Sequence, residues 1–102
     1  MLTTEIDRKD RSVYVRLSGR IDHDGVPAFQ SVLDKVVGIN PQVTMLDLTA
    51  VPFINSTGIN YILLFYKRML NRNADVRITG ISDEVFTILK TIHLDRLIPI
   101  EK

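Results

Sequence analysis

The chain has 102 residues, 45% of them apolar and 25% charged, the balance of a single globular domain that can bury its own core. A formal net charge of only +1 gives no electrostatic case for nucleic acid or for an acidic substrate. There is no cysteine, which excludes disulfides, thiolate nucleophiles and cysteine-ligated zinc or iron–sulfur centres together.

The first residues, "MLTTEIDRKDRS", are charged where a secretion signal is apolar. The longest apolar run, within "INYILLFY", is too short to cross a bilayer. A cytoplasmic protein without a membrane partner is expected. "TTEIDRK" and "SVYVRLSG" read as strands joined by a hairpin turn at "KDRS", with Val13, Val15 and Leu17 alternating against Tyr14, Arg16 and Ser18. The densest basic groups, Arg8–Lys9–Arg11 and Lys67–Arg68, read as solvated faces.

Residues 26–37 change to a helical period: Val26, Phe29, Val32, Leu33, Val36 and Val37 fall on one side. Pro27 suits the first turn, and Gly38 suits the position just past the end. "QVTMLDLTAV" is a short strand, a helix runs from about Thr57 to Leu70, and "DVRITGI" is another strand. "SDEVFTILKTI" is a short helix capped by Ser82, with Asp83 and Glu84 at its positive end. "HLDRLIPIEK" adds a last short strand or turn. The order is β-β-α-β-α-β-α over residues 1–102, one α/β domain. Its sheet is mixed, with an antiparallel N-terminal hairpin, β-α crossovers and helices packed on the sheet.

At 100° per residue, Ile59, Ile62, Leu63, Tyr66, Met69 and Leu70 form the core arc of the helix after Ser56. Asn60, Leu64, Lys67 and Arg68 lie opposite, with Tyr61 at the edge. Leu64 and Tyr61 therefore point outward near a hydroxyl-bearing helix start, the makings of a docking surface. Ser56 is placed to cap the free N–H groups of the first turn. A phosphate on that serine would meet the positive end of the helix. Gly58 keeps the turn open for an approaching partner.

"LDLTAVPFINSTGINYILLFYKRM" resembles the signature of the STAS domain family of anti-sigma-factor antagonists, and "LSGRIDHDGVPAF" resembles that family's element before the first helix. The resemblance implies that Ser56 is the phosphoacceptor of a serine-kinase/anti-sigma-type regulator, and that Gly58 is the motif glycine. It also implies that Asp22 lies near the partner surface and that a separate serine phosphatase restores the unphosphorylated, binding-competent form. On this reading Asp22, His23, Asn55, Thr57, Gly58, Asn60, Tyr61 and Leu64 form or flank the docking surface. Asn55 stands where the family carries aspartate, so the turn loses a negative charge beside the acceptor.

Other chemistry finds less support. Asp22–His23–Asp24 are successive loop residues, which rarely converge on one metal ion. No G-x-S-x-G elbow, glycine-rich phosphate loop or paired acid and base is present, so neither a cofactor nor an enzymatic role is expected. Asp47 is assigned to supporting the loop before Ser56. The alternative function is a constitutive or ligand-binding STAS scaffold in which Ser56 serves only as a cap.

Overall fold

A computed structural model describes all residues, Met1–Lys102. Strands β1 (Thr3–Lys9) and β2 (Ser12–Ser18) pair antiparallel, and the chain reverses at Asp10–Arg11 with Asp10 at a positive φ of 56°. Strand β3 (Val43–Ala50) joins β2 in parallel, and β4 (Asp75–Ile81) joins β3 in parallel, giving the order β1-β2-β3-β4. Parallel neighbours need crossovers. Helix α1 (Val26–Ile39) supplies the first and α2 (Ser56–Leu70) the second. Helix α3 (Asp83–Thr91) follows β4, and a 3-10 turn at Leu94–Arg96 leads into the tail.

Strand alternation decides which face is covered. Val13, Val15 and Leu17 of β2, Leu46 and Leu48 of β3, and Val76 and Ile78 of β4 are all buried. They share one core with Phe29, Val32, Leu33 and Val36 of α1, Ile62, Phe65 and Met69 of α2, and Val85 and Leu89 of α3. The opposite sheet face carries Tyr14, Arg16, Met45 and Asp47, all at least partly exposed. The tail closes the β4 edge. Ile78 donates its N–H to Pro99 O at 2.9 Å, and Glu101 donates to Ile78 O at 2.8 Å, forming a parallel bridge. The β1 edge is left open, guarded by Glu5, Asp7 and Lys9.

The expected order of elements holds, with three local corrections. Helix α1 runs past Gly38 to Ile39, and Asn40 rather than Gly38 takes the left-handed position (φ 58°), donating its N–H to Val36 O. Asparagine tolerates that conformation, so no glycine was required. Leu70, assigned to the core, is 53% exposed, while Phe65 is buried in its stead. The buried stripe of α2 is Gly58, Ile62, Phe65 and Met69, which leaves Ile59, Leu63 and Tyr66 only half-buried beside it. The third correction concerns the start of α2 and belongs to the site. Ser82 does cap α3, accepting the Val85 N–H at 3.3 Å, and its hydroxyl also donates to Val51 O at 2.6 Å.

Candidate functional site

Two loops leave the C-terminal ends of β2 and β3 side by side. Gly19 donates its N–H to Ala50 O at 3.0 Å, Ile21 donates to Phe53 O at 2.9 Å, and Asn55 donates to Ile21 O at 2.9 Å. These bonds form a short parallel bridge between Ile21 and Ile54, whose side chains are almost wholly buried. The Asp22 loop is thereby brought beside Asn55, although more than thirty residues separate them in sequence. Asp22 shapes its own loop, its carboxylate accepting the N–H groups of Asp24 (3.2 Å) and Gly25 (3.0 Å). The Gly25 bond above all, helped by Asp24 and Arg20, holds its pKa below the ordinary carboxylate value.

The cap of α2 is Asn55, and Ser56 is the first helical residue. Asn55 is extended (φ −88°, ψ 175°), and its Oδ1 accepts the Gly58 N–H at 2.8 Å. Asparagine caps at least as well as serine, so the asparagine one residue earlier takes the role assigned to Ser56. The consequence is chemical. Ser56 and Thr57 are exposed at the positive end of a fifteen-residue helix, and capping does not draw on the Ser56 hydroxyl.

Gly58 also differs from expectation. It is buried, and a Cβ built there would lie 2.6 Å from Ile21 Cγ2 and 2.9 Å from Ile54 Cγ1. The missing side chain makes room for the chain's own isoleucines rather than for a partner.

The remaining site residues line α2. Asn60 is exposed, Leu64 is 51% exposed, and half-buried Tyr61 donates its hydroxyl to Gln30 Oε1 of α1 at 3.3 Å. Tyr61, Leu64 and Phe65 face Leu33 and Val37 across a groove of ≈ 120 Å³ between α1 and α2. Leu64 lies roughly 12 Å along the helix from Ser56. His23 is exposed on the Asp22 loop.

One group escaped the sequence reading. Arg20 stacks over the Phe53 ring, with its guanidinium 4.6 Å from the centroid, and pairs with Asp22 at 3.5 Å. The pairing across two loops has no local signature, though the "GRID" run places Arg20 two residues from Asp22.

Asp47 sits upstream within β3, three residues before its end. Its carboxylate accepts the Thr49 N–H (3.0 Å) and the Tyr14 hydroxyl (3.2 Å), with Arg16 Nε at 3.8 Å. Partial burial pushes its pKa up, but Thr49, Tyr14 and the Arg16 charge outweigh that and lower it. Asp47 and Asp22 thus hold protons less tightly folded than unfolded. Their contribution is complete above the unfolded carboxylate pKa of about 3.9 and is lost as pH falls through the lower folded values. Acid titration followed by circular dichroism should show stability falling below about pH 4, less steeply in Asp47→Asn. Equal slopes in the two proteins would remove Asp47 from this role.

A family model described as "STAS domain" matches residues 3–102, and the chain belongs to that family. The "Anti-sigma-B factor antagonist" of Listeria monocytogenes is 25% identical over 101 residues, covering 98% of this chain and 89% of that one. Among solved structures, an anti-sigma factor antagonist from Mycobacterium paratuberculosis superposes with a TM-score of 0.89 at 24% identity, over 99% of this chain and 86% of that one. SpoIIAA in its unphosphorylated form gives a TM-score of 0.80 at 15% identity (98% and 89% covered). Its phosphorylated form, from Bacillus, gives 0.74 at 14% identity (98% and 92% covered). The fold is shared more widely. The STAS domain of a SulP transporter from Vibrio cholerae gives a TM-score of 0.71 at 24% identity (89% and 72% covered). No helix of the chain is long and apolar enough to cross a membrane.

Proposed function

We propose that the chain is a non-enzymatic, phosphorylation-controlled binding switch of the anti-sigma-factor-antagonist kind, with Ser56 as phosphoacceptor. The observation that carries this reading is the division of labour at the start of α2. Asn55 holds the cap, and Ser56 presents an exposed hydroxyl at the positive end of the helix. Unphosphorylated, the surface around Asp22, His23, Asn60, Tyr61 and Leu64 docks a serine-kinase/anti-sigma-type regulator. A phosphate adds roughly two negative charges beside the ionised Asp22 and breaks that contact without unfolding the domain. A serine phosphatase reverses it. The names of the relatives and the two forms of SpoIIAA support the reading.

Incubation with the cognate kinase and ATP should place one phosphate on the chain, located on Ser56 by mass spectrometry and absent from Ser56→Ala. Undiminished labelling of that variant would discard Ser56 as the acceptor. A second reading, a constitutive or ligand-binding scaffold, is favoured by the neutral Asn55 and by the fold shared with a transporter domain. On that reading Ser56→Ala behaves as wild type in cells and the chain stays unmodified in every growth state.

A further inference from the structure

The pole of the sheet opposite Ser56 holds a second concave site. It forms where three separate turns meet: the β1–β2 hairpin, the α1–β3 connection and the α2–β4 connection. A cavity of ≈ 420 Å³ there is walled by Arg8, Arg11, Asn40, Gln42, Arg72 and Asn73. Asp10, Asn40 and Asn73, one from each turn, have left-handed backbones (φ 56°, 58° and 58°), so each chain reversal opens on the same space.

The hydrogen-bond pattern makes the cavity rich in donors. Arg72 Nη1 donates to Val37 O at 2.9 Å and to Asn40 Oδ1 at 3.2 Å. Arg11 Nη1 donates to Gln42 Oε1 at 3.4 Å. Both amide oxygens are occupied by arginines, which leaves the amide NH₂ groups of Asn40 and Gln42 as donors. Arg8 enters none of the chain's ion pairs, and neither does Asp10, the cavity's one acid. The C-terminal ends of α1 and α2 explain why arginines gather here, since each carries about half a negative charge. Those ends and Asp10 together fall short of three guanidinium charges.

We infer that this cavity binds the phosphate of a small phosphorylated metabolite. Arginine forks and amide donors suit phosphate oxygens. The volume lies in the range of small-molecule sites, about 300–1,000 Å³, and exceeds the needs of a bare ion. No lining residue is aromatic and only three of the eleven are apolar, so the body of the ligand is polar, a polyol or sugar rather than a stacked base. The site is separated from Ser56 by the length of β3, roughly 25 Å, and is independent of the switch proposed above.

The test is an NMR titration of the ¹⁵N-labelled chain at low salt with glycerol 3-phosphate, glycerol and inorganic phosphate. Glycerol 3-phosphate should shift the amides of Asp10, Asn40, Gln42 and Asn73 saturably, and glycerol should shift none. Arg8→Gln/Arg11→Gln should weaken binding at least ~tenfold, the weight of a lost charge-assisted bond. Arg72 is left intact because it ties the end of α1. Arg8→Gln alone, which breaks no hydrogen bond or ion pair of the fold, gives the same reading if the double variant is unstable. Shifts absent from these residues, or unchanged in the variants, would overturn the site. Tighter binding of inorganic phosphate would overturn the organic ligand.

Discussion

Gly58→Val is expected to destabilise the domain by about 3 kcal/mol or more, measured as a fall in the urea midpoint with an unchanged slope. The first atom of any side chain at this position collides with Ile21 and Ile54, which belong to the two bridged loops and have no space to retreat into. The damage falls on the site itself, because α2 must lift from those loops and carry Ser56 with it. Steric origin can be checked by coupling. In Gly58→Ala/Ile21→Ala the clashing methyl is gone, so the pair should lose less stability than the sum of its single variants. Strict additivity would mean that the contact with Ile21 is not the source of the loss. Gly38 is the counter-case. It lies within α1, a Cβ there meets nothing within 4 Å, and Gly38→Ala should stabilise by roughly 0.5–1 kcal/mol.

The second large effect is expected at Phe29, the largest fully buried side chain, 0% exposed on the inner face of α1. Phe29→Ala should cost about 3–5 kcal/mol, combining lost transfer energy with a cavity that the surrounding elements cannot fill. A 102-residue domain has a total stability of roughly 5–15 kcal/mol, so this change brings the protein close to unfolding at ordinary temperature. Phe29 lies one turn into the helix that starts at the Asp22 loop, with its N–H bonded to Gly25 O at 3.1 Å. The loss should therefore appear at the site as well as in the melting curve. Hydrogen exchange at Gly25 and Val26 should rise with global unfolding. Protection surviving there while the rest exchanges would show that the loop is held by its own bonds.

Residues whose partners are near in sequence were the legible ones. Val13, Val15 and Leu17 announce a strand, and Ser82 followed by Asp83 and Glu84 announces a capped helix, because each signal is local. The motif around Ser56 was legible for the same reason. The cap itself was misplaced by one residue, since asparagine and serine both cap well and only the extended backbone of Asn55 decides between them. Leu70 was misassigned because periodicity finds an apolar arc but not the side of it that neighbouring elements cover. Where partners are distant, nothing local betrays them: Arg20 on Phe53, the isoleucines around Gly58, and Arg72 joining Arg8 and Arg11 all depend on chain reversals.

The Ile21–Ile54 bridge also makes the protein easy to instrument. The chain contains no tryptophan, and His23 is exposed on a loop tied by backbone bonds to the residue before Ser56. A lone indole introduced as His23→Trp would be its only strong near-ultraviolet emitter, carried on the loop bonded to Asn55. If Ser56 takes up phosphate as proposed, the transfer from kinase and ATP is then followed in real time by fluorescence, without radiolabel.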